Sequence, residues 1–160
     1  MSKFFLMTGM SGSGKTTFAK MFAKKNNLLY LCPDDFYALV NGDERLHIHE
    51  YEIWRMIFDA IRLAERDQKD IILDTNSPTR ANRVSLLDTF PEFNEYILIE
   101  MKAPFDVCWE NNKNRNRTIP EKDFQMIWES LEPVAEEKED PRWDKIFSCK
   151  WEEEGVEVLR

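Results

Sequence analysis

Gly9-Met10-Ser11-Gly12-Ser13-Gly14-Lys15-Thr16 separates two apolar segments of different period. Before it, Lys3 to Thr8 is a short apolar run of the kind that forms a buried strand; after it, Phe18, Met21 and Phe22 recur at helical spacing. The stretch therefore predicts strand, glycine loop and helix in that order. Glycine reaches backbone conformations closed to other residues, so Gly9, Gly12 and Gly14 allow a tight loop whose N–H groups turn inward. The amino terminus of the following helix adds a field of matching sign, which makes the loop a cradle for an anion.

Working outward from the loop, Leu28 to Leu31 reads as a second buried strand, and Trp54, Ile57, Phe58 and Ile61 mark an amphipathic helix from Glu50 to Glu65. Ile71-Ile72-Leu73 is a third strand that ends at Asp74. Thr79 to Thr89 predicts a helix, Tyr96 to Met101 a fourth strand and Asp106 to about Asn112 another helix. Pro120 then starts a helix with Phe124, Ile127, Trp128 and Leu131 on one face, and Lys145 to Cys149 is a candidate last strand. Strands alternating with helices imply right-handed crossovers and a parallel sheet covered on both faces. The expected architecture is α/β: a three-layer P-loop NTPase fold with about five parallel strands flanked by helices and a small helical lid. The chain of 160 residues fits one domain over residues 1–160, with the lid at about 111–120 and an acidic segment at about 121–160.

The apolar share of 42% is globular usage, and no run is long enough to cross a bilayer. Met1-Ser2-Lys3 leads straight into the first strand without the layout of a secretory signal, so a cytoplasmic location without membrane association is the default. Cys32, Cys108 and Cys149 are odd in number and scattered, which predicts buried free thiols rather than disulfides. His47 and His49 lack the partners of a zinc site and are expected at the surface. A net charge of -8 argues against wrapping long duplex DNA. Residues 1–120 hold 16 Lys and Arg against 17 Asp and Glu, however, so the acidity belongs to the last forty residues.

The loop matches G-x-x-x-x-G-K-[ST] in the strand-to-helix context which that pattern requires. Gly9, Ser11, Gly12, Ser13, Gly14, Lys15, Thr16 and Thr17 are the expected contacts to the phosphates of ATP. Lys15 is assigned to the beta and gamma phosphates, and the Thr16 hydroxyl to Mg2+. Asp74 has the form of the second element of such sites, an apolar strand delivering a carboxylate, and is assigned to the metal or the acceptor. Asp34-Asp35 follows the second strand at the sheet edge where ligands of open α/β folds collect. One of the pair is the candidate base for a hydroxyl acceptor; the alternative is that Pro33-Asp34-Asp35 simply opens a helix. Lys113, Arg115 and Arg117 alternate along a polar segment, and on an extended backbone they would share a side and close over the phosphates. Arg80 and Arg83 either grip an anionic acceptor or line a helix surface, and the first option adds them to a local positive rim.

Across residues 3 to 130 this constellation resembles the 5'-hydroxyl polynucleotide kinases and related small P-loop kinases. The resemblance rests on Gly9 to Thr17, the Asp34-Asp35 pair, Asp74-Thr75-Asn76 with Arg80, and the segment from Cys108 to Arg117. It implies catalytic roles for Lys15, for Asp34 as general base and for Arg115 as the lid arginine. It also implies ATP and Mg2+ as cofactors and a hydroxyl acceptor, a nucleic-acid 5' end or a small molecule. Two positions depart from the pattern: Asn111 stands where many polynucleotide kinases carry a second lid arginine, and Phe36-Tyr37-Ala38 where some hold the acceptor's phosphate with an arginine. Kinases of a small metabolite, nucleoside or antibiotic share this fold and are the alternative. A nucleotide-dependent regulatory ATPase is a third reading.

Overall fold

Lys3–Gly9 forms β1, the strand around which the sheet is ordered. The computed structural model describes residues 1–115, 118–152 and 155–159. The remaining strands are β2 (Leu29–Leu31), β3 (Ile71–Leu73), β4 (Glu95–Lys102), β5 (Lys145–Glu152) and β6 (Gly155–Leu159), arranged β2-β3-β1-β4-β5-β6. The first five run parallel, with Phe4 opposite Ile71 on one side of β1 and Tyr96 on the other. β6 pairs antiparallel with β5 and was not predicted, although Val156-Glu157-Val158 has the alternation of a short strand.

Alternation along the strands builds the three layers. Phe4 and Leu6, Ile71 and Leu73 point to one face, where Ile53, Ile57 and Ile61 of α3 (Glu50–Arg66) and Leu86 and Leu87 of α4 (Arg80–Thr89) cover them. Met7, Ile72, Ile97 and Ile99 point to the other face, against Phe18, Ala19 and Ala23 of α1 (Lys15–Asn26). Met21, expected on the buried stripe, is exposed, because the alanines let α1 sit on the sheet along a different line. Pro33–Asn41 forms α2, so Pro33-Asp34-Asp35 does open a helix, with Cys32 as its N-cap. α5 (Phe105–Lys113) and α6 (Glu121–Ser130) pack on each other and on Met10 through Cys108, Phe124 and Trp109. Cys32, Cys108 and Cys149 are all buried. Among the described residues no helix is long and apolar enough to cross a membrane.

Chain order jumps from β3 across β1 to β4, so the loops leaving β1 and β3 open a crevice at the carboxyl edge of the sheet. Arg83 contributes nothing to that crevice, which corrects its assignment to a positive rim. Its side chain is fully buried and donates from Nε to Glu139 Oε2 at 3.1 Å and from Nη2 to Glu139 Oε1 at 2.6 Å. It donates further from Nη1 to the Ser77 carbonyl and from Nη2 to the Glu132 carbonyl, both at 3.1 Å. Arg80 is likewise engaged, with Nη1 2.7 Å from Glu132 Oε2. Both carboxylates come from the acidic segment, which thus ties α4 to the carboxyl-terminal part of the chain. Removing one partner of a buried pair strands the other charge. Arg83→Ala is therefore expected to lower the unfolding free energy by about 3 kcal/mol or more, measured by urea denaturation.

Candidate active site

Glycine geometry shapes the loop after β1. Gly9, Gly12 and Gly14 have φ of +142°, +83° and +93°, in the region that L side chains rarely adopt. A Cβ on Gly9 would lie 2.5 Å from the carbonyl oxygen of Met101, and one on Gly12 would collide with the Cys108 carbonyl. The loop is thus pressed between the end of β4 and the side of α5. Gly14 is the N-cap of α1, and the first helical amides, those of Lys15, Thr16 and Thr17, have no acceptor within the helix.

A cleft of about 590 Å³ opens above these residues and is lined by Ser11, Gly12, Gly14, Lys15, Thr16 and Thr17 on this side. Gly9 and Ser13 stand behind it. The Gly9 N–H donates to the Asn76 carbonyl at 3.1 Å and the Ser13 N–H to the Met10 carbonyl at 3.1 Å, so these two form the loop without facing the cleft. Lys15 is buried, and its ammonium donates to the Met10 carbonyl at 3.1 Å and to Asn76 Oδ1 at 2.9 Å. Burial, only partly offset by the nearby Asp74 carboxylate, brings its pKa down from 10.5 to about 8.

Asp74 ends β3 beside α1, and its Oδ2 accepts from Thr16 Oγ1 at 2.7 Å and from Tyr30 Oη at 2.6 Å. A hydroxyl and a carboxylate in contact are the hard oxygen donors that Mg2+ takes when phosphates and water complete its shell, so the donor set fits this ion. Burial and the Asp74 carboxylate push the Tyr30 phenol far above its ordinary pKa, which keeps the proton on it. Asn76 fastens the same corner. Its carbonyl accepts from Gly9 N–H and Thr8 Oγ1 while its amide side chain accepts from Lys15.

The opposite wall is built from α2 and the start of α3. Asp34 and Asp35 lie in the first turn of α2, and both line the cleft. Arg115, in the turn after α5, reaches across so that Nη2 is 3.7 Å from Asp34 Oδ2. Buried Asn112 holds that turn by bonding both the carbonyl and the N–H of Ile119, at 2.9 and 3.0 Å. Asn111 reaches back to the phosphate loop, with Nδ2 2.8 Å from the Gly12 carbonyl. Tyr37 is buried beneath His47, the rings stacked at 4.3 Å, and Glu44, Glu50 and Trp54 complete this side.

The structure thus brings Lys15, Thr16, Asp74, Asp34 and Arg115 around one cleft. It does not form the expected cationic rim among the described residues. Lys113 lies in α5, paired at 2.6 Å with Glu110, because the helix runs further than the polar composition suggested; it cannot share an extended face with Arg115. Arg117 lies outside the described residues. Tyr30, Asn76, Tyr37 and His47 were not among the predicted site residues. Tyr30 lies on β2 and Asn76 follows β3, at the ligand-bearing edge, a signal that sequence order carries only once the strand order is known.

The family model of the AAA domain matches residues 4–134. The L-seryl-tRNA(Sec) kinase of Methanococcus maripaludis is 21% identical over 137 residues, covering 79% of this chain and 51% of that protein. The chain therefore spans about half the length of this curated relative. Among solved structures, a chain of the Pnkp1/Rnl/Hen1 RNA repair complex superposes with a TM-score of 0.70 at 21% identity, covering 81% of this chain and 44% of that one. A gluconokinase from Sinorhizobium meliloti superposes with a TM-score of 0.60 at 17% identity, covering 92% and 82%. At these identities the structural likeness speaks to the fold.

The lowered Lys15 pKa has a stability consequence. Between pH 8 and 10.5 the unfolded chain binds this proton and the folded chain does not, so the penalty of burying the charge is present below pH 8 and relieved as pH rises. Relative to Lys15→Met, the wild type is expected to gain about 3 kcal/mol of stability from pH 7.5 to 10.5, measured by denaturant titration at each pH.

Proposed function

The chain belongs to the AAA domain family, and we propose that it is an ATP- and Mg2+-dependent kinase that transfers the gamma-phosphoryl group to a hydroxyl acceptor. The observation that carries this reading is the placement of Asp34 and Arg115, 3.7 Å apart, across the cleft from Lys15, Thr16 and Asp74. A site that only bound nucleotide would need the second group but not a carboxylate on the acceptor side. The printed names of the relatives, a tRNA kinase and a gluconokinase, support the same reaction class.

In this mechanism Lys15 and the first amides of α1 hold the phosphates, where protonated lysine and helix terminus both favour negative charge. Thr16 and Asp74 would hold Mg2+, which when bound offsets charge on the phosphate oxygens. The acceptor oxygen forms a bond to the gamma phosphorus as the bond to the leaving oxygen of ADP breaks, and the acceptor proton passes to Asp34. Arg115 turns from Asp34 to the charge that develops on the transferring group, and the turn stapled by Asn112 keeps it at the cleft mouth.

The 5'-hydroxyl end of a polynucleotide is the acceptor to test first, a choice supported by the sequence resemblance that Asp34, Asp74-Thr75-Asn76 and Arg115 carry and by the position of Asp34, Asp74 and Arg115 around one cleft. A compact small-molecule acceptor is the second reading, favoured by a specific observation: Arg80 and Arg83 are tied to Glu132 and Glu139, and the acceptor wall carries Glu44 and Glu50. Such a wall repels the phosphates of a strand end. Incubation with gamma-labelled ATP and a 5'-hydroxyl oligonucleotide decides between them. Under the first reading the oligonucleotide is labelled, Asp34→Asn lowers kcat by about a hundredfold or more and Arg115→Ala by about a thousandfold. An unlabelled oligonucleotide, together with a small hydroxyl compound that raises Tm only when a nonhydrolysable ATP analogue is present, establishes the second. Undiminished transfer by Asp34→Asn overturns the mechanism under either acceptor.

A further inference from the structure

We infer that Tyr30 is a positioning residue for the metal-binding corner, and that its hydroxyl couples Mg2+ to nucleotide binding; this rests on the kinase reading of the same cleft. Tyr30 lies on β2, the edge strand beside β3, with its backbone in register with Ile72, two residues before Asp74. From there its hydroxyl reaches Asp74 Oδ2 at 2.6 Å, the same oxygen that accepts from Thr16 at 2.7 Å. Two hydroxyl donors on one carboxylate oxygen are short, charge-assisted bonds, and they converge from two different elements, β2 and α1.

That double hold has a chemical consequence. Lys15 stands close enough for the Asp74 charge to affect it, yet the Lys15 ammonium bonds the Met10 carbonyl and Asn76. The Asp74 carboxylate is instead kept turned toward Thr16. An ion held by the Thr16 oxygen needs that hydroxyl's proton to point away from it, and Asp74 is the acceptor that takes the proton. Tyr30 fixes the orientation of the acceptor, as outer residues around metal sites fix the ligands they touch. Tyr30 itself is no base, since its own proton is committed to the bond with Asp74. Asp74 is buried and Tyr30 half-buried, and both line the cleft, so the hydroxyl holds the carboxylate where an ion beside Thr16 would meet it.

Tyr30→Phe keeps the ring, which packs with the cluster under α1, and deletes only the donor. Calorimetric titration with ADP, with and without Mg2+, reads the coupling independently of turnover. The expected result is that Mg2+ enhances ADP binding about tenfold less in Tyr30→Phe than in the wild type, while ADP affinity without metal changes less than twofold. In phosphotransfer assays the Mg2+ concentration for half-maximal rate rises by a similar factor, with kcat at saturating metal reduced far less. Tyr51→Phe, at an exposed position on α3, behaves as wild type in both assays. Full Mg2+ enhancement in Tyr30→Phe overturns the inference, and so does an equal loss of ADP affinity with and without metal, which would mark general damage to the loop. If the wild type binds ADP with Mg2+ but phosphorylates no acceptor, the kinase reading fails while the calorimetric comparison still decides the role of Tyr30.

Discussion

Everything in the cleft depends on how closely backbone approaches backbone at Gly9 and Gly12. The absent side chains let the loop lie against the carbonyls of Met101 and Cys108, with no room for a Cβ at either place. That contact sets the height of the loop on the sheet and the position of α5 beside it. Because α5 carries the Arg115 turn, the distance from the phosphate loop to the lid is set by packing rather than by charge. Asn111 adds to the same contact by bonding the Gly12 carbonyl. The substitution of asparagine for an expected arginine thus has a structural use here: a neutral amide clamps the loop to its lid helix.

Charge is distributed with similar economy. The acidic segment that dominates the net charge of -8 supplies Glu132 and Glu139 to Arg80 and Arg83, one of them in a fully buried pair. Such a pair is a weak source of net stability but a strict one, since either partner alone is costly inside the protein. The consequence for function is subtraction: Arg80 and Arg83, which could have gripped an anionic acceptor, are consumed in holding α4 to the rest of the chain. Lys15 and Arg115 stand at the cleft, with Lys20 at its edge. A burial-depressed lysine facing a carboxylate held by two hydroxyls is a site kept polarised at the expense of stability, which is the usual bargain of a binding centre.

Much of this was legible in the chain itself. Continuous apolar runs at Lys3 to Thr8, Ile71 to Leu73 and Tyr96 to Met101 announced strands buried on both faces, and the helical period of α3 was unmistakable. Asp74 and Asp34 could be placed at the sheet edge from order alone, because parallel strands joined by right-handed crossovers all end on the same side. Less could be read where composition and structure part company. The polar, asparagine-rich stretch was read as a helix to about Asn112 followed by a lid loop, yet Lys113 is still helical, and buried Asn112 turns inward to bond the backbone of Ile119. β6 escaped notice because its alternating Val156-Glu157-Val158 is a short segment in an acidic stretch, and only the fold shows its pairing with β5.

The sequence by itself determined the glycine loop, the strand-to-helix switch that follows it and the order of the carboxylates along the sheet edge, because each rests on interactions within a few residues or on the handedness of the chain. Only the tertiary structure decided which charges are free to act. Whether an arginine meets a ligand or Glu139, and whether a tyrosine on β2 meets solvent or Asp74, depends on partners 56 and 44 residues away. Such pairings are set by which elements the packed core brings together, and no local pattern of residues records them.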